Sequence, residues 1–280
     1  MTLPLAPREH AACEEPVRTH RRFDRAARLF GEEGLSRLIG ARVLVLGMGG
    51  VGSFAAEALA RSGVGELVLV DFDRVCVTNA NRQLHALQGN IGRPKVEVMA
   101  ERLRRVHPTA VVDPRPVFYG ADTSAELLSG RVDFVVDAID NMTAKAHLIT
   151  ACHLRGTPIV SSMGAAARMD PTRIRVSDLT ETVRDPFARS LRRFLRKRHG
   201  LACRRGEPLG VQAVFSDEPP LEPLPPSYDA EEGFRCICPN GSNGLHDCES
   251  RSRIDGSAAF VTGAFGLAAA SVVVRSLCRR

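Results

Sequence analysis

A glycine-rich turn between two short apolar runs constrains this sequence more than any other feature. Residues 43–46 read VLVL, the turn GMGGVG follows directly at 47–52, and a second run, LVLV, spans 67–70. Short apolar runs rich in β-branched residues are typical of parallel strands that are buried on both faces. Because the residues between the turn and Ala60 favour helix, the stretch predicts a strand–helix–strand unit.

This unit also predicts a nucleotide site. Glycines at such a turn let the backbone approach a phosphate closely, with N–H groups aimed at it from a helix N-terminus. A carboxylate at the end of the second strand, here Asp71, can accept hydrogen bonds from a ribose. A turn with a purely structural role is the alternative. The predicted nucleotide-binding glycines are Gly47, Gly49, Gly50 and Gly52.

Strands and helices continue to alternate after this unit. Further strands are predicted at 110–112, 133–140 and 158–162, and helices at 22–39, 95–106 and 143–155. Alternation of this kind predicts an α/β fold with a doubly wound, mostly parallel, Rossmann-like sheet. Because prolines follow the strand at 110–112, we expect it to be short or at an edge of the sheet.

The pattern divides the chain into three parts. Residues 1–20 are Pro-rich and charged and are predicted to be a disordered tail, and 21–176 form the Rossmann-like domain. The remainder, 177–280, is predicted to be a smaller α+β extension. Near that boundary, 174–179 is expected to be a strand of a second sheet, and 218–229 an exposed loop.

A dense cluster of cations occupies 188–200, where apolar residues recur at helical spacing. The whole chain carries a net charge of +6, which favours anionic partners. The cluster holds seven basic side chains and no acid, so it predicts a helix that binds a polyanion; a solvated surface helix is the alternative. Six of these side chains are predicted to contact nucleic acid: Arg189, Arg192, Arg193, Arg196, Lys197 and Arg198.

The eight cysteines are scattered without a regular framework, and no secretory signal pattern opens the chain, so the expected compartment is a reducing cytoplasm. Cys236, Cys238, Cys248 and His246 lie close together in sequence. Their spacing matches no standard zinc template, and three interpretations stay open: a zinc site, incidental thiols on a mobile loop, or a reactive cysteine.

An uncharged run of small and apolar residues spans 257–274, which is near the length needed to cross a membrane. Gly, Ala, Ser and Thr make it weakly hydrophobic. A helix buried in a core or a dimer interface is therefore favoured over membrane association, which stays open.

Several motifs, in order and spacing, resemble the ATP-binding domain of the ubiquitin-activating-enzyme superfamily, which adenylates carboxylates. They are the glycine turn, Asp71 with Asp73, the segment from Asn79 to Gln83, Lys95, and the segment from Asp137 to Asn141. Three further stretches, at 22–31, 177–186 and 210–218, look like the tRNA threonylcarbamoyladenosine dehydratase family. Sulfur-carrier activators of the superfamily carry two CxxC pairs for zinc, and this chain has none.

The resemblance implies ATP and Mg²⁺ as cofactors and a role for each matching residue. Arg82 and Lys95 would neutralise triphosphate charge, and Asp140 would hold Mg²⁺. Arg25 resembles an arginine that the superfamily contributes across a homodimer interface to the partner's ATP. A covalent role for Cys248, whose thiolate would take the activated acyl group from AMP, is left open, because the acyl group can also react without such an intermediate. The implied nucleotide-binding set, besides the glycines, is Asp71, Asp73, Asn79, Arg82, Lys95 and Asp140.

The implied substrate is threonylcarbamoyladenosine next to the anticodon of tRNA, whose carboxylate would be adenylated and then closed into a ring. The alternatives are an adenylyltransferase for a sulfur-carrier or ubiquitin-like protein, a nicotinamide-dependent dehydrogenase, and a non-catalytic tRNA-binding module. Arg82, Lys95 and Asp140 argue against the dehydrogenase and the binding module, which need no cationic clamp on a triphosphate. A cysteine desulfurase or sulfur acceptor stays open as a partner.

Overall fold

A computed structural model describes residues 21–224 and 255–278. Seven strands form one sheet in the order β3-β2-β1-β4-β5-β7-β6, and every neighbouring pair is parallel except β7 with β6. The strands are β1 Arg42–Leu46, β2 Glu66–Val70, β3 Val111–Arg115, β4 Phe134–Asp137, β5 Ile159–Ser162, β6 Ile174–Asp178 and β7 Val211–Ser216. The predicted doubly wound sheet is confirmed, and β3 lies at its edge as expected.

Helices cover both faces of this sheet. In the described ranges they are α1 Asp24–Ile39, α2 Gly52–Arg61, α3 Lys95–Val106, α4 Ala121–Leu127, α5 Met142–Arg155, α6 Pro186–His199 and α7 Ala259–Cys278. Val43 and Val45 pack into the core under α1, α2, α3 and α7, whereas Leu44 and Leu46 pack into the core under α4, α5 and α6. This alternation explains why β1 is apolar at every position from Val43 to Leu46.

The sheet continues beyond the expected domain boundary at 176. The sequence predicts that 174–179 is a strand of a second sheet, and this prediction is wrong. Strand β6 belongs to the same sheet and pairs antiparallel with β7, with Val176 opposite Val214. The segment 218–229, which is predicted to be an exposed loop, begins with a buried residue. Glu218 is buried and accepts hydrogen bonds from the backbone N–H of Met169 and Asp170, both at 3.0 Å. A separate functional role for 177–280 stays a prediction.

The apolar run near the C-terminus forms α7, which packs mainly on α2 and α1. Within the described residues, α7 is the one helix that is long and apolar enough to cross a membrane, and half of its apolar stretch is buried in the fold. A Cβ on Gly266 would lie 2.4 Å from the Val51 carbonyl oxygen, so only glycine permits this close packing. The small residues of α7 are thus explained by contact with α2, as expected for a buried helix.

Candidate nucleotide-binding site

The predicted glycine turn lies at the switch point of the sheet, between the carboxyl ends of β1 and β4. Leu46 is in register with Asp137, and from β1 the chain proceeds to β2 on one side while β4 lies on the other. Open α/β sheets bind ligands in the crevice at this point. The segments after β1, β2 and β4, which carry most of the predicted site residues, therefore meet there.

Three glycines of the turn, Gly47, Gly49 and Gly52, differ in what the fold requires of them. Gly47 has a φ of +89°, and a Cβ on it would lie 2.5 Å from the Ala138 carbonyl oxygen. A Cβ on Gly52 would lie 1.7 Å from the Gly47 carbonyl oxygen. Around Gly49, by contrast, the Gln83 amide nitrogen is the one atom of the described residues within 4.0 Å of such a Cβ. Gly47 and Gly52 are thus required by the fold, whereas no residue in the described ranges crowds Gly49.

Backbone donors are available in the same turn. Among the described residues, the N–H groups of Gly49 and Gly50 donate no hydrogen bond, and α2 begins two residues later at Gly52. Free N–H groups and the positive end of a helix dipole together favour a phosphate or another anion. The turn therefore fits the phosphates of a nucleotide.

Asp71 joins the end of β2 to this turn. Its Oδ2 accepts a hydrogen bond from the Met48 N–H at 2.5 Å, and its Oδ1 accepts one from the Asp73 N–H at 2.8 Å. Burial raises the pKa of Asp71, and the positive charge of Lys95 opposes that shift. Each carboxylate oxygen has two lone pairs, so Asp71 can still accept from a ribose.

Lys95, the first residue of α3, lies against the same carboxylates. Its Nζ is 2.7 Å from Asp73 Oδ2, and its side chain is almost fully buried. Burial lowers the pKa of Lys95, but the charges of Asp71, Asp73 and Asp140 outweigh burial, and the net shift is upward. The lysine is therefore held protonated beside Asp73, as a cationic clamp requires.

Asp140 lies in the short turn between β4 and α5. It is exposed, and within the described part of the chain its carboxylate accepts no hydrogen bond. The next residue, Asn141, caps α5 by accepting from the Thr143 and Ala144 N–H groups at 3.1 and 3.0 Å. A fixed turn with a free carboxylate suits a Mg²⁺ ion that receives its other ligands from phosphates and water.

The segment after β2 folds over the glycine turn. Arg82 donates to the Thr78 carbonyl at 2.9 Å and to Asn81 Oδ1 at 2.8 Å, and its Cγ would lie 3.3 Å from a Cβ on Gly50. Asn79 is buried, and its Oδ1 accepts from the Cys76 N–H at 3.0 Å. Arg82 is thus placed beside the turn, whereas the observed bond of Asn79 is a local backbone cap.

Sequence reasoning missed a buried network behind the site. Lys145 Nζ donates to Asp137 Oδ2 at 2.7 Å and to Ser161 Oγ at 3.2 Å, and all three side chains are fully buried. Burial lowers the pKa of Lys145, and the charge of Asp137 opposes that shift. A lysine in a helix normally indicates a surface position, so the sequence carried no local sign of this network.

The other predicted residues lie outside this cluster. Arg25 is exposed on α1 and makes no hydrogen bond or ion pair with any residue that the structure describes. On α6, Arg192 donates to the Leu179 and Thr182 carbonyls at 3.3 and 3.1 Å, and Arg196 donates to the Cys203 carbonyl at 3.0 Å. No such bond involves the four remaining cations within the described ranges: Arg189, Arg193, Lys197 and Arg198.

The cysteine cluster falls outside the described residues. Cys236, Cys238, Cys248 and His246 all lie in 225–254, so the zinc and covalent hypotheses stay predictions. In residues 21–224 and 255–278, no group of three or more Asp, Glu, His or Cys side chains is arranged to hold a metal ion.

Comparison with known proteins gives consistent matches over most of the chain. The model of the ThiF family matches residues 23–280. The tRNA threonylcarbamoyladenosine dehydratase of Escherichia coli is 41% identical over 256 residues, which cover 91% of this chain and 93% of the relative. The Bacillus subtilis enzyme of the same name is 46% identical over 199 residues, which cover 71% of this chain and 76% of the relative.

A solved structure is also similar. The crystal structure of the Escherichia coli dehydratase in complex with ATP superposes with a TM-score of 0.79 at 39% sequence identity. The superposition covers 91% of this chain and 93% of that one.

Proposed function

This chain belongs to the ThiF family and, within it, to the tRNA threonylcarbamoyladenosine dehydratases, and we propose that it binds ATP at the glycine turn and uses it to cyclise threonylcarbamoyladenosine in tRNA. One observation carries the ATP assignment. Buried Lys95 lies 2.7 Å from Asp73 at the switch point of the sheet, where the charges of Asp71 and Asp140 also act on it, and the Gly49 and Gly50 N–H groups of the neighbouring turn donate no hydrogen bond within the described residues. A nicotinamide site needs neither a buried lysine nor a free carboxylate at this position.

Each side chain of the site has a proposed role in binding the nucleotide. The turn containing Gly49 and Gly50 holds phosphate, and Asp71 accepts from the ribose. Lys95 and Arg82 stabilise the charge that develops as the α-phosphate is attacked. Asp140 would hold Mg²⁺, which would supply neutralisation of phosphate charge.

The proposed reaction has two steps. The threonine carboxylate of the modified adenosine attacks the α-phosphorus of ATP, so that a P–O bond forms and pyrophosphate leaves. An atom of the carbamoyl group of the same side chain then attacks the activated carbonyl carbon, and AMP leaves with one carboxylate oxygen. The substrate thus loses the elements of water. Because the second step is intramolecular, the nucleophile has a high effective concentration.

An adenylyltransferase for a sulfur-carrier or ubiquitin-like protein is the second candidate, since it shares the nucleotide site. Two sequence features disfavour it: the chain lacks the paired CxxC motifs of the sulfur-carrier activators, and α6 is strongly basic. We further propose that the enzyme is a cytoplasmic homodimer in which Arg25 completes the partner's site. A cysteine desulfurase or sulfur acceptor stays an open partner.

Incubation with ATP, Mg²⁺ and threonylcarbamoylated tRNA, followed by mass analysis of the nucleosides, tests this function. We expect one AMP for each nucleoside that loses 18 mass units, the mass of one water. Lys95→Met and Asp140→Asn should each lower the rate about 100-fold or more, because each removes a charge at the transferring phosphoryl group.

The matched control is the same tRNA without the threonylcarbamoyl group, which should yield no AMP. AMP formation that depends on a sulfur-carrier protein and not on the modified tRNA would favour the second candidate. Unchanged rates in both charge variants would refute the site assignment.

A further inference from the structure

The buried network behind the site connects three elements at the carboxyl edge of the sheet. Asp137 ends β4, Ser161 lies in β5 and Lys145 lies in the first turns of α5. Asp137 Oδ2 accepts from Lys145 Nζ at 2.7 Å and from Ser161 Oγ at 2.6 Å. The charged pair is entirely shielded from solvent, so its geometry is fixed by the surrounding core.

The same network determines the shape of the turn that carries Asp140. The second oxygen of Asp137, Oδ1, accepts from the Ile139 N–H at 3.1 Å, which fixes the start of the turn. Lys145 ties α5 back onto β4, and α5 begins directly after Asn141. Both ends of the four-residue turn 138–141 are therefore held by one buried carboxylate and its lysine.

We propose that Lys145 is a positioning residue, which acts through Asp137 to hold the turn 138–141 so that Asp140 meets the nucleotide-bound Mg²⁺ in one fixed geometry. This inference rests on the proposed function, because it takes Asp140 to be the Mg²⁺ ligand. Lys145 does not touch the nucleotide in this proposal. Residues that orient a metal ligand in this way typically change metal affinity or activity 10- to 100-fold when they are lost.

Stability alone is a poor explanation for such a pair. Replacing a buried ion pair by apolar or neutral residues of similar volume is often neutral or stabilising, because the charges no longer have to be stripped of water. The pair also lies at the catalytic edge of the sheet, with Ile139 held to it by a hydrogen bond. A role in the geometry of the turn accounts for both facts.

The test uses the double variant Asp137→Asn/Lys145→Met, which removes both charges at nearly constant volume, in the full-length protein. AMP formation with threonylcarbamoylated tRNA is measured across a Mg²⁺ titration, and ATP binding is measured without Mg²⁺. We expect the half-saturating Mg²⁺ concentration to rise about tenfold and kcat to fall at least tenfold. ATP affinity without Mg²⁺ should stay within about threefold, since no phosphate contact is removed.

A second double variant, Glu57→Gln/Arg102→Met, is the matched control. It removes an ion pair between α2 and α3, in which Arg102 Nε lies 2.8 Å from Glu57 Oε2. This ion pair does not contact the turn 138–141. The control variant should leave the Mg²⁺ response unchanged. If both pairs alter the melting temperature alike and neither alters the Mg²⁺ response, Lys145 has a structural role only and the proposal is wrong.

Two further variants make the outcome decisive. Asp140→Asn should raise the half-saturating Mg²⁺ concentration on its own; if it does not, the proposed Mg²⁺ site fails, independently of Lys145. Should the Asp137/Lys145 double variant not fold, Ser161→Ala decides. It removes the hydroxyl that bonds both Lys145 Nζ and Asp137 Oδ2, so the half-saturating Mg²⁺ concentration should rise severalfold, and a wild-type Mg²⁺ response in that variant would overturn the proposal.

Discussion

At the scale of single residues, we expect different glycines of the turn to matter for stability and for ATP binding. Gly49→Ala should change the free energy of unfolding by no more than about 0.5 kcal/mol, because no described residue comes closer than 4.0 Å to the added Cβ. We expect ATP affinity to fall about tenfold or more, because the added methyl group would keep the phosphate away from the backbone N–H. This decrease corresponds to the loss of one charge-assisted hydrogen bond. Gly52→Ala should instead cost about 3 kcal/mol, since its Cβ would meet the Gly47 carbonyl.

Chemical denaturation and ATP titration of the two glycine variants test this separation. The control is Gly89→Ala, a glycine with positive φ and open surroundings in an exposed loop, which should lose some stability and keep its ATP affinity. If Gly49→Ala binds ATP as the wild type does, the open side of the turn does not face the phosphates.

His85 predicts a pH dependence of stability. The ring is buried with its Nε2 3.0 Å from Gln83 Oε1, and burial, aided by the charge of Lys95, lowers its pKa from 6.5 to about 3. Between these pH values the unfolded chain binds a proton that the folded chain does not, so stability falls as the pH falls below about 6.5. From pH 7 to pH 5 this single group should cost about 2 kcal/mol.

The comparison with His85→Gln isolates that contribution, because all other groups titrate in both proteins. Denaturant unfolding at pH 7 and pH 5 should show the wild type losing about 2 kcal/mol more than the variant. Equal losses would mean that His85 becomes protonated in the folded state.

The sequence indicated which side chains come to the switch point of the sheet better than it indicated the contacts of those side chains. Asp71, Lys95 and Asp140 follow strand ends or begin helices, and parallel strands bring such positions to one edge. Asn79 belongs to the same motif, yet its observed hydrogen bond caps the local backbone. The partners of Lys145 could not be predicted, because a residue's burial depends on which elements pack around its helix, and that information is not local.

At the scale of elements, only some of the cations on α6 are suited to a test of nucleic-acid binding. Arg192 and Arg196 bond to backbone carbonyls, so replacing them would disturb the local fold. We expect Arg189, Arg193 and Lys197, changed together to Ala, to weaken tRNA binding and leave ATP affinity unchanged. The log–log salt slope should fall by about two to three, since each lost phosphate contact removes slightly less than one unit.

A charge-matched variant on the other face of the sheet provides the control. There a groove of about 580 Å³ between α2, α3 and the segment after β2 is lined by several arginines, including Arg61, Arg93 and Arg105. Joint replacement of Arg61, Arg93 and Arg105 by Ala should leave the salt slope near that of the wild type. Because Arg61 pairs with Glu57 and Arg93 with Glu101, the melting temperature of this variant is measured as well. The reverse result, a loss of slope in the groove variant alone, would assign tRNA docking to the groove.

Helices and strands with a clear hydrophobic pattern were predicted well. Strands whose place in the sheet depends on pairing with distant parts of the chain were not. The helix at 95–106 has the predicted bounds, and β1 and β4 follow from continuous apolar runs. Strand β7 was not predicted, and β6 was assigned to a second sheet, because pairing partners far apart in sequence leave no periodic trace. The packing of α7 on the glycine turn could not be predicted from the sequence either. There, a Cβ on Gly50 would lie 2.9 Å from Thr262 Oγ1 of α7.

At the scale of the whole molecule, the ATP site is proposed to be completed across a homodimer. Arg25 on α1 is exposed and, among the described residues, has no hydrogen-bond or ion-pair partner, and nearby Leu29 on the same helix is 79% exposed. Arg25 and Leu29 lie four residues apart on one helix, so a single partner surface could contact both side chains. A second subunit would supply both an apolar contact for Leu29 and a nucleotide anion for Arg25.

Complementation distinguishes this arrangement from one in which each subunit works alone. Arg25→Ala and Asp140→Ala should each be nearly inactive, yet a mixed dimer has one site that keeps both Arg25 and Asp140. Equal amounts after full subunit exchange should therefore recover roughly a quarter of wild-type activity, because about half the dimers are mixed and one of their two sites is intact. If Arg25 served its own subunit, every site in the mixture would lack one residue. Co-purification of two differently tagged variants confirms the exchange, and mixed dimers without recovered activity would place Arg25 outside the partner's site.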